Sequence, residues 1–186
     1  HYYWARTEKN TFEPLGKLWD SQVSTIKALD EYGWIYNLKA RKLGISTVGC
    51  CIDLWNLIFK QHSRVHLFSQ RDEEAVNLLD RCRQAYYKLP SWMQAVRISV
   101  NNSHTLELDF GNGDIRVLQA YSSNPDAGRS ESCQHAHIDE YAIVEQAQQE
   151  NFWAAVEPSV VPGGTLHIMT TGRGSQNYAA TLWKNA

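Results

Sequence analysis

Trp34-Ile-Tyr-Asn-Leu-Lys-Ala-Arg-Lys-Leu-Gly-Ile-Ser-Thr47 is the stretch on which the fold turns. Trp34 to Leu38 is a compact apolar run and reads as a buried strand. Lys39 to Gly44 reads as a basic, glycine-containing turn, and Thr47 to Lys60 as a helix with Val48, Cys51, Ile52, Trp55 and Ile58 on its inward face. Strand, turn and helix in this order is the setting of a phosphate-binding loop, where backbone N–H groups and the positive end of the helix meet an anion. The usual form is G-x-x-x-x-G-K-[ST]. Here Gly44 supplies the last glycine and Ser46 the hydroxyl, while Lys39 stands for the first glycine and Ile45 for the lysine. Lys39, Arg41 and Lys42 bring three cations into the same turn. A flexible ammonium can enter a phosphate site from more than one backbone position. A basic loop with no ligand is the alternative, and the rest of the chain has to decide.

Upstream, residues 1–14 read as an irregular arm and Leu15 to Asp30 as a helix, with Leu18, Trp19, Gln22, Val23 and Ile26 at helical spacing. Gln22 has the paired donor and acceptor that would suit the amide-like edge of adenine, or it is a surface glutamine. Downstream, Arg64 to Ser69 reads as a strand. Asp72 opens a helix whose stripe is Ala75, Leu78, Leu79, Cys82 and Tyr86, and Leu89-Pro90 stops it. This alternation predicts a mainly parallel sheet flanked by helices. Thr105 to Phe110 and Asp114 to Leu118 alternate about the turn Gly111-Asn-Gly113, which predicts an antiparallel hairpin inserted into the sheet or added at its edge. Tyr121 to Ser132 reads as a polar loop. His135 to Ile138 reads as a strand ending in Asp139-Glu140, and Ala142 to Val156 as a helix with Ala147, Phe152 and Trp153 inward. Pro158 and Pro162-Gly-Gly164 are expected to break the chain before a strand from Thr165 to Thr171 and a last short helix.

Asp139-Glu140 is the second element that carries chemistry. After a phosphate loop, two carboxylates at a strand end have a joint use. Asp139 with Ser46 holds Mg²⁺, and Glu140 polarises the water that attacks the γ-phosphate. In an extended strand the two would point apart, so the chain must turn there; a solvated strand end is the alternative. Thr170-Thr171-Gly172, at the tip of a further strand, would sense the γ-phosphate. Arg129, eleven residues before Glu140, would stabilise charge on the transferring phosphoryl group in its own subunit or a neighbour's, or is a surface arginine. His135 and His137 lie on one strand face with Asp139; a zinc site would need a fourth ligand, so hydrogen-bonded histidines are the favoured reading.

The 186 residues, 43% hydrophobic and 20% charged, suit one domain with a full core. A net charge of −2 and a pI near 6.4 give no basic footprint for tight nucleic-acid binding by this stretch alone. Cys50, Cys51, Cys82 and Cys133 form no C-x-x-C pair, so reduced thiols are expected. There is no signal peptide and no apolar run of membrane-spanning length, and the chain reads as a piece of something longer.

Together, the motifs resemble the N-terminal ATPase domain of the large terminase subunit, the DNA-packaging motor of tailed bacteriophages. The resemblance runs from about Trp19 to Gly174. It rests on Trp19-Asp-Ser-Gln22, Lys39-Ala-Arg-Lys-Leu-Gly-Ile-Ser46, Ala127-Gly-Arg129, His137-Ile-Asp-Glu-Tyr-Ala142 and Leu166-His-Ile-Met-Thr-Thr-Gly172. Some members of that family carry the loop lysine at the start of the loop, as Lys39 is here. The resemblance implies a P-loop NTPase fold over a single domain, residues 1–186, with ATP and Mg²⁺ as ligands. It implies phosphate or nucleotide contacts from Lys39, Arg41, Lys42, Gly44, Ile45, Ser46 and Thr47, a metal site at Ser46 and Asp139, and a catalytic glutamate at Glu140. Gln22 takes the place of the adenine motif, Thr170 to Gly172 that of the coupling motif, with Thr171 near the nucleotide, and Arg129 that of an arginine inserted into a neighbouring site. The implied partners are double-stranded DNA, a portal protein, a small terminase subunit and further copies in a ring, at a procapsid in the host cytoplasm. Nothing after Gly174 is long enough for the family's C-terminal nuclease domain, so cutting is not carried over. Ile45 leaves open whether Lys39 or Lys42 serves the phosphates. It also motivates the alternative of a non-hydrolysing nucleotide-binding assembly module; another P-loop translocase or helicase core is the nearer competitor.

Overall fold

Parallel strands that are buried on both faces form the centre of this chain, as the alternation of apolar runs and amphipathic helices requires. The computed structural model describes residues 3–6, 11–124 and 131–186. The elements are β1 (Trp4–Arg6), β2 (Phe12–Pro14), α1 (Asp20–Tyr32), β3 (Trp34–Leu38), α2 (Ile45–Phe59), β4 (Arg64–Ser69) and α3 (Asp72–Tyr87), followed by β5 (Arg97–Asn101), β6 (Thr105–Asp109), β7 (Ile115–Ser122), β8 (Cys133–Asp139), α4 (Gln146–Val156), β9 (Val160–Thr170) and α5 (Tyr178–Asn185). The main sheet has seven strands in the order β3-β9-β8-β4-β7-β6-β5. The first five run parallel, and β6 pairs antiparallel with both β7 and β5. β1 and β2 form a separate antiparallel pair where an irregular arm was expected.

The strands alternate their side chains between two cores. On one face Val65 and Leu67 of β4 pack with Leu54 and Leu57 of α2 and Leu78, Leu79 and Cys82 of α3. On the other, Phe68, Ala136, Ile138, Leu166 and Ile168 pack with Phe152 and Val156 of α4 and Ala179 of α5. No helix among the described residues is long and apolar enough to cross a membrane. All four cysteines are free.

Several expectations need correction. α1 begins at Asp20, after Pro14 and Gly16, and buries Gln22, Thr25 and Leu29, while Trp19 is 56% exposed. β3 lies at an end of the sheet, so Trp34 and Leu38 are exposed rather than buried. In α2 the buried face is Val48, Cys50, Asp53, Leu54 and Leu57, and Trp55 of the expected face is 53% exposed. The hairpin's second strand, β7, is itself a member of the parallel sheet, paired with β4 from Arg64↔Val117 to Ser69↔Ser122. The edge addition is therefore β6 with β5, a strand that no sequence pattern had marked. Pro162-Gly163-Gly164 does not end β9. The strand bulges there, with Gly163 at φ +77° and the pairing to β8 jumping from Cys133↔Val160 to His135↔Thr165. α4 starts at Gln146, after a 3₁₀ turn over Tyr141–Ile143, and buries Gln149 while Ala147 is exposed.

Candidate nucleotide-binding site

The loop leaves β3 pinned to its neighbour, because the Lys39 N–H donates to the Thr170 carbonyl at 2.9 Å. Two positive-φ residues, Lys42 (φ +65°) and Gly44 (φ +67°), fold it back so that α2 starts at Ile45. The first N–H groups of a helix have no acceptor within it and aim at whatever lies before the N-terminus, here the loop mouth. Gln22 braces the loop from α1. Its Nε2 donates to the Leu43 carbonyl at 3.2 Å, and its Oε1 accepts the Trp19 N–H at 3.0 Å. Both ends of this amide are thus spent within the protein, one of them on the loop itself.

The acid pair lies opposite. Glu140 adopts the left-handed conformation (φ +55°, ψ +43°), which is the turn that two consecutive carboxylates need in order to face one place. The Ser46 hydroxyl donates to Asp139 Oδ1 at 3.2 Å, and the Lys39 ammonium donates to Glu140 Oε1 at 2.6 Å. The Thr171 N–H and hydroxyl both donate to Glu140 Oε2, at 2.9 and 3.0 Å. Burial raises the Glu140 pKa, but the Lys39 ammonium and the two Thr171 donors outweigh it, so the carboxyl titrates below its usual range. Thr170 is buried; its hydroxyl accepts the Ala142 N–H at 3.0 Å and ties the turn after the acid pair to the end of β9.

The loop and the acid pair therefore meet. Ile45 is 4% exposed and points into the core, so the loop's cation comes from elsewhere. Of the two lysines left open by the sequence, Lys39 has its ammonium at the acid pair, whereas Lys42 is exposed on the turn. Arg41 is also exposed and lines a cavity of about 350 Å³ beside Asp139, Glu140 and Thr171. Thr47 is half-buried in the first turn of α2. Arg129 and the loop around it lie outside the described residues. The cavity's far wall brings in Gln70, Asn77 and Arg81 from the end of β4 and from α3, which no sequence motif marked. His135 and His137 each give a ring nitrogen to Asp53, at 3.1 and 2.6 Å, as hydrogen-bonded histidines would.

A serine hydroxyl and a carboxylate oxygen 3.2 Å apart, beside a helix N-terminus, form a hard-oxygen donor set that fits Mg²⁺ with a polyphosphate. The strand order has the same sense: β9, which carries Thr170, lies between the loop strand β3 and the acid strand β8. All three end at the same edge of a parallel sheet, where ligands bind in open α/β folds. This is a P-loop NTPase fold.

No protein-family model matches the sequence. Among solved structures, the HK97 bacteriophage large terminase superposes with a TM-score of 0.75 at 17% identity, over 93% of this chain and 37% of its own. The Thermus phage P74-26 large terminase ATPase domain gives 0.71 at 16% identity, over 94% of this chain and 72% of its own. A large terminase from a thermophilic bacteriophage, in complex with ADP, gives 0.64 at 11% identity, over 91% of this chain and 42% of its own. The chain has the fold of phage large terminase ATPase domains and spans well under half the length of the HK97 protein and of the ADP-bound one.

Proposed function

We propose that this chain is the ATPase domain of a large terminase, which hydrolyses ATP to drive double-stranded DNA into a procapsid. One observation carries the reading: Lys39 and Ser46, at the two ends of the loop, each touch one member of the Asp139-Glu140 pair. The fold likeness to terminase ATPase domains supports it.

In this reading the loop N–H groups and the Lys39 ammonium bind the β- and γ-phosphates. Ser46 and Asp139 would hold Mg²⁺, which when bound neutralises charge on the phosphate oxygens. Glu140, ionised and held by Thr171, orients a water and takes its proton as the water oxygen bonds to the γ-phosphorus and ADP departs. Thr171 reports to β9 on the state of Glu140. Arg129 is proposed to act on the same phosphoryl group, in its own subunit or across to the next. DNA, a portal protein, a small terminase subunit and a ring of copies are the partners in this proposal.

The test is Glu140→Gln, assayed for ATP-γ-S binding and for ATP turnover at high protein concentration or in the assembled motor. Binding should stay within a few-fold of wild type, while turnover falls by at least about a hundredfold. Turnover near wild type would remove Glu140 from the chemistry. A wild-type protein that binds ATP-γ-S yet never turns over ATP in the assembled state would favour the non-hydrolysing module.

A further inference from the structure

Behind the acid pair a chain of polar groups, buried at its centre and half-buried at its ends, crosses four elements. Thr165 Oγ1 lies 2.7 Å from His135 Nδ1, and His135 Nε2 lies 3.1 Å from Asp53 Oδ1. Asp53 Oδ2 lies 2.6 Å from His137 Nδ1. The His137 ring stacks on that of His167, with centroids 5.7 Å apart and planes 21° from parallel, and His167 Nε2 accepts from Asn37 Nδ2 at 2.8 Å. Asp53, His135, His137 and His167 are all fully buried.

The placement of these residues is what matters. Asp53 lies two turns after Ser46 on α2, and His137 lies two residues before Asp139 on β8. Asn37 lies two residues before Lys39, and His167 four residues before Thr171. The four elements that lead into or carry Lys39, Ser46, Asp139 and Thr171 therefore each hold at least one member of the network. A buried carboxylate among imidazoles is a poor way to gain stability, since apolar residues of similar volume do as well or better. What such a network supplies is a single fixed arrangement of the elements it joins.

We infer that Asp53 is a positioning residue: by tying α2 to β8 through His135 and His137, it holds the Ser46 hydroxyl and the Asp139 carboxylate at the spacing a divalent cation requires. The stack of His137 on His167 and the bond from Asn37 extend the same hold to β9 and β3. This rests on the nucleotide reading of the site given above. In this role Asp53 acts through α2 and β8, the elements that carry Ser46 and Asp139.

Two variants test it. Asp53→Asn keeps the shape and opposes an amide N–H to one of the imidazole N–H groups. The triple variant Asp53→Leu, His135→Leu, His137→Leu replaces the polar chain with apolar side chains and should fold with a melting temperature at or above wild type. For both, ATP-γ-S affinity is measured with and without Mg²⁺, alongside kcat and KM for ATP. Affinity without Mg²⁺ should stay within about twofold. The gain in affinity on adding Mg²⁺ should shrink by about 10-fold or more, and kcat should fall at least as far, which is the range for partners that orient metal ligands. A folded variant whose Mg²⁺-dependent gain and kcat match wild type would overturn the inference. If wild-type protein neither binds ATP-γ-S nor turns over ATP, the nucleotide reading itself fails, and that outcome is separate from the first.

Discussion

Gly44 shows how much of the candidate site hangs on one backbone conformation. It sits at φ +67°, and a Cβ there would come within 2.5 Å of Gln22 Nε2, the group that braces the Leu43 carbonyl. Gly44→Ala should cost about 1–2 kcal/mol from the left-handed conformation alone. It should weaken ATP-γ-S binding by more than that stability loss suggests, because the brace must move. Urea unfolding beside a binding titration separates the two effects; unchanged affinity would mean that the loop does not need this turn. Gln22→Ala removes the brace without touching the loop backbone. It should lower ATP-γ-S affinity several-fold and do the same to GTP-γ-S, since both ends of the amide already bond to protein; a loss confined to the adenine nucleotide would restore the base-reading role. The pattern of hydroxyl, glycine and acid pair was readable in the sequence because loop and strand tip are each local in the chain. Which lysine reaches the acid pair was not, because that depends on β9 lying between β3 and β8 and on the turn at Glu140. Asp53 was hidden for a related reason: a lone carboxylate in an apolar helix reads as a solvent-facing residue until the two histidines that bury it, over eighty positions away, are in place.

Along α2, apolar residues recur at helical spacing on two faces, and periodicity offers no means of choosing between them when one contains an aspartate. The structure chooses the face with Gly49. A Cβ on Gly49 would lie 2.6 Å from His137 Cε1 and 2.7 Å from Met169 Cε, so only a glycine lets α2 approach β8 and β9 this closely. Gly49→Ala should cost about 1–3 kcal/mol by overpacking, read as a lower urea midpoint. It should also separate Ser46, one turn earlier, from Asp139 and so reduce the Mg²⁺-dependent part of nucleotide affinity. If stability falls and that part is unchanged, the approach of the helix matters for packing alone. β9 carries the complementary lesson. Pro162-Gly163-Gly164 has the composition of a chain break, yet Gly164 lies so close to β8 that a Cβ would sit 3.0 Å from the Gln134 carbonyl. Glycines that read as a turn were there for a bulge between paired strands, and only the neighbouring strand distinguishes the two.

Across the whole domain, the buried histidines make stability depend on pH in a direction that can be worked out. His66 on β4 is fully buried against Phe68 and Tyr121, and among the described residues neither ring nitrogen has a hydrogen-bond partner. Burial, then the nearby Arg64 charge, lowers its pKa from 6.5 to about 4. The unfolded chain therefore takes up a proton as pH falls through 6.5 while the folded chain does not, and stability drops until the folded pKa is reached. Burial, with the neighbouring His137 and His135 charges, also holds His167 well below 6.5, which has the same sign. His137 has the opposite sign. Burial would lower its pKa, but Asp53 outweighs this and raises it to about 9, so its stabilisation is complete below 6.5 and is lost as pH rises through 9. Asp53 is lowered despite its burial, chiefly by the His137 charge and the bonds from both histidines, and its contribution is lost as pH falls below the usual carboxylate range. These signs place maximal stability near pH 6.5, with losses on both sides. His66→Leu isolates one of them. Between pH 7.5 and pH 5 the wild type should lose about 2 kcal/mol more than the variant, from the proton that only the unfolded wild type binds. Urea midpoints at the two pH values measure this directly, and parallel profiles would show that His66 finds a partner or water when it is protonated. Because His66 packs against Phe68 and Tyr121, while Lys39, Ser46 and the acid pair hold one another, the same variant should leave ATP-γ-S affinity at pH 7.5 unchanged.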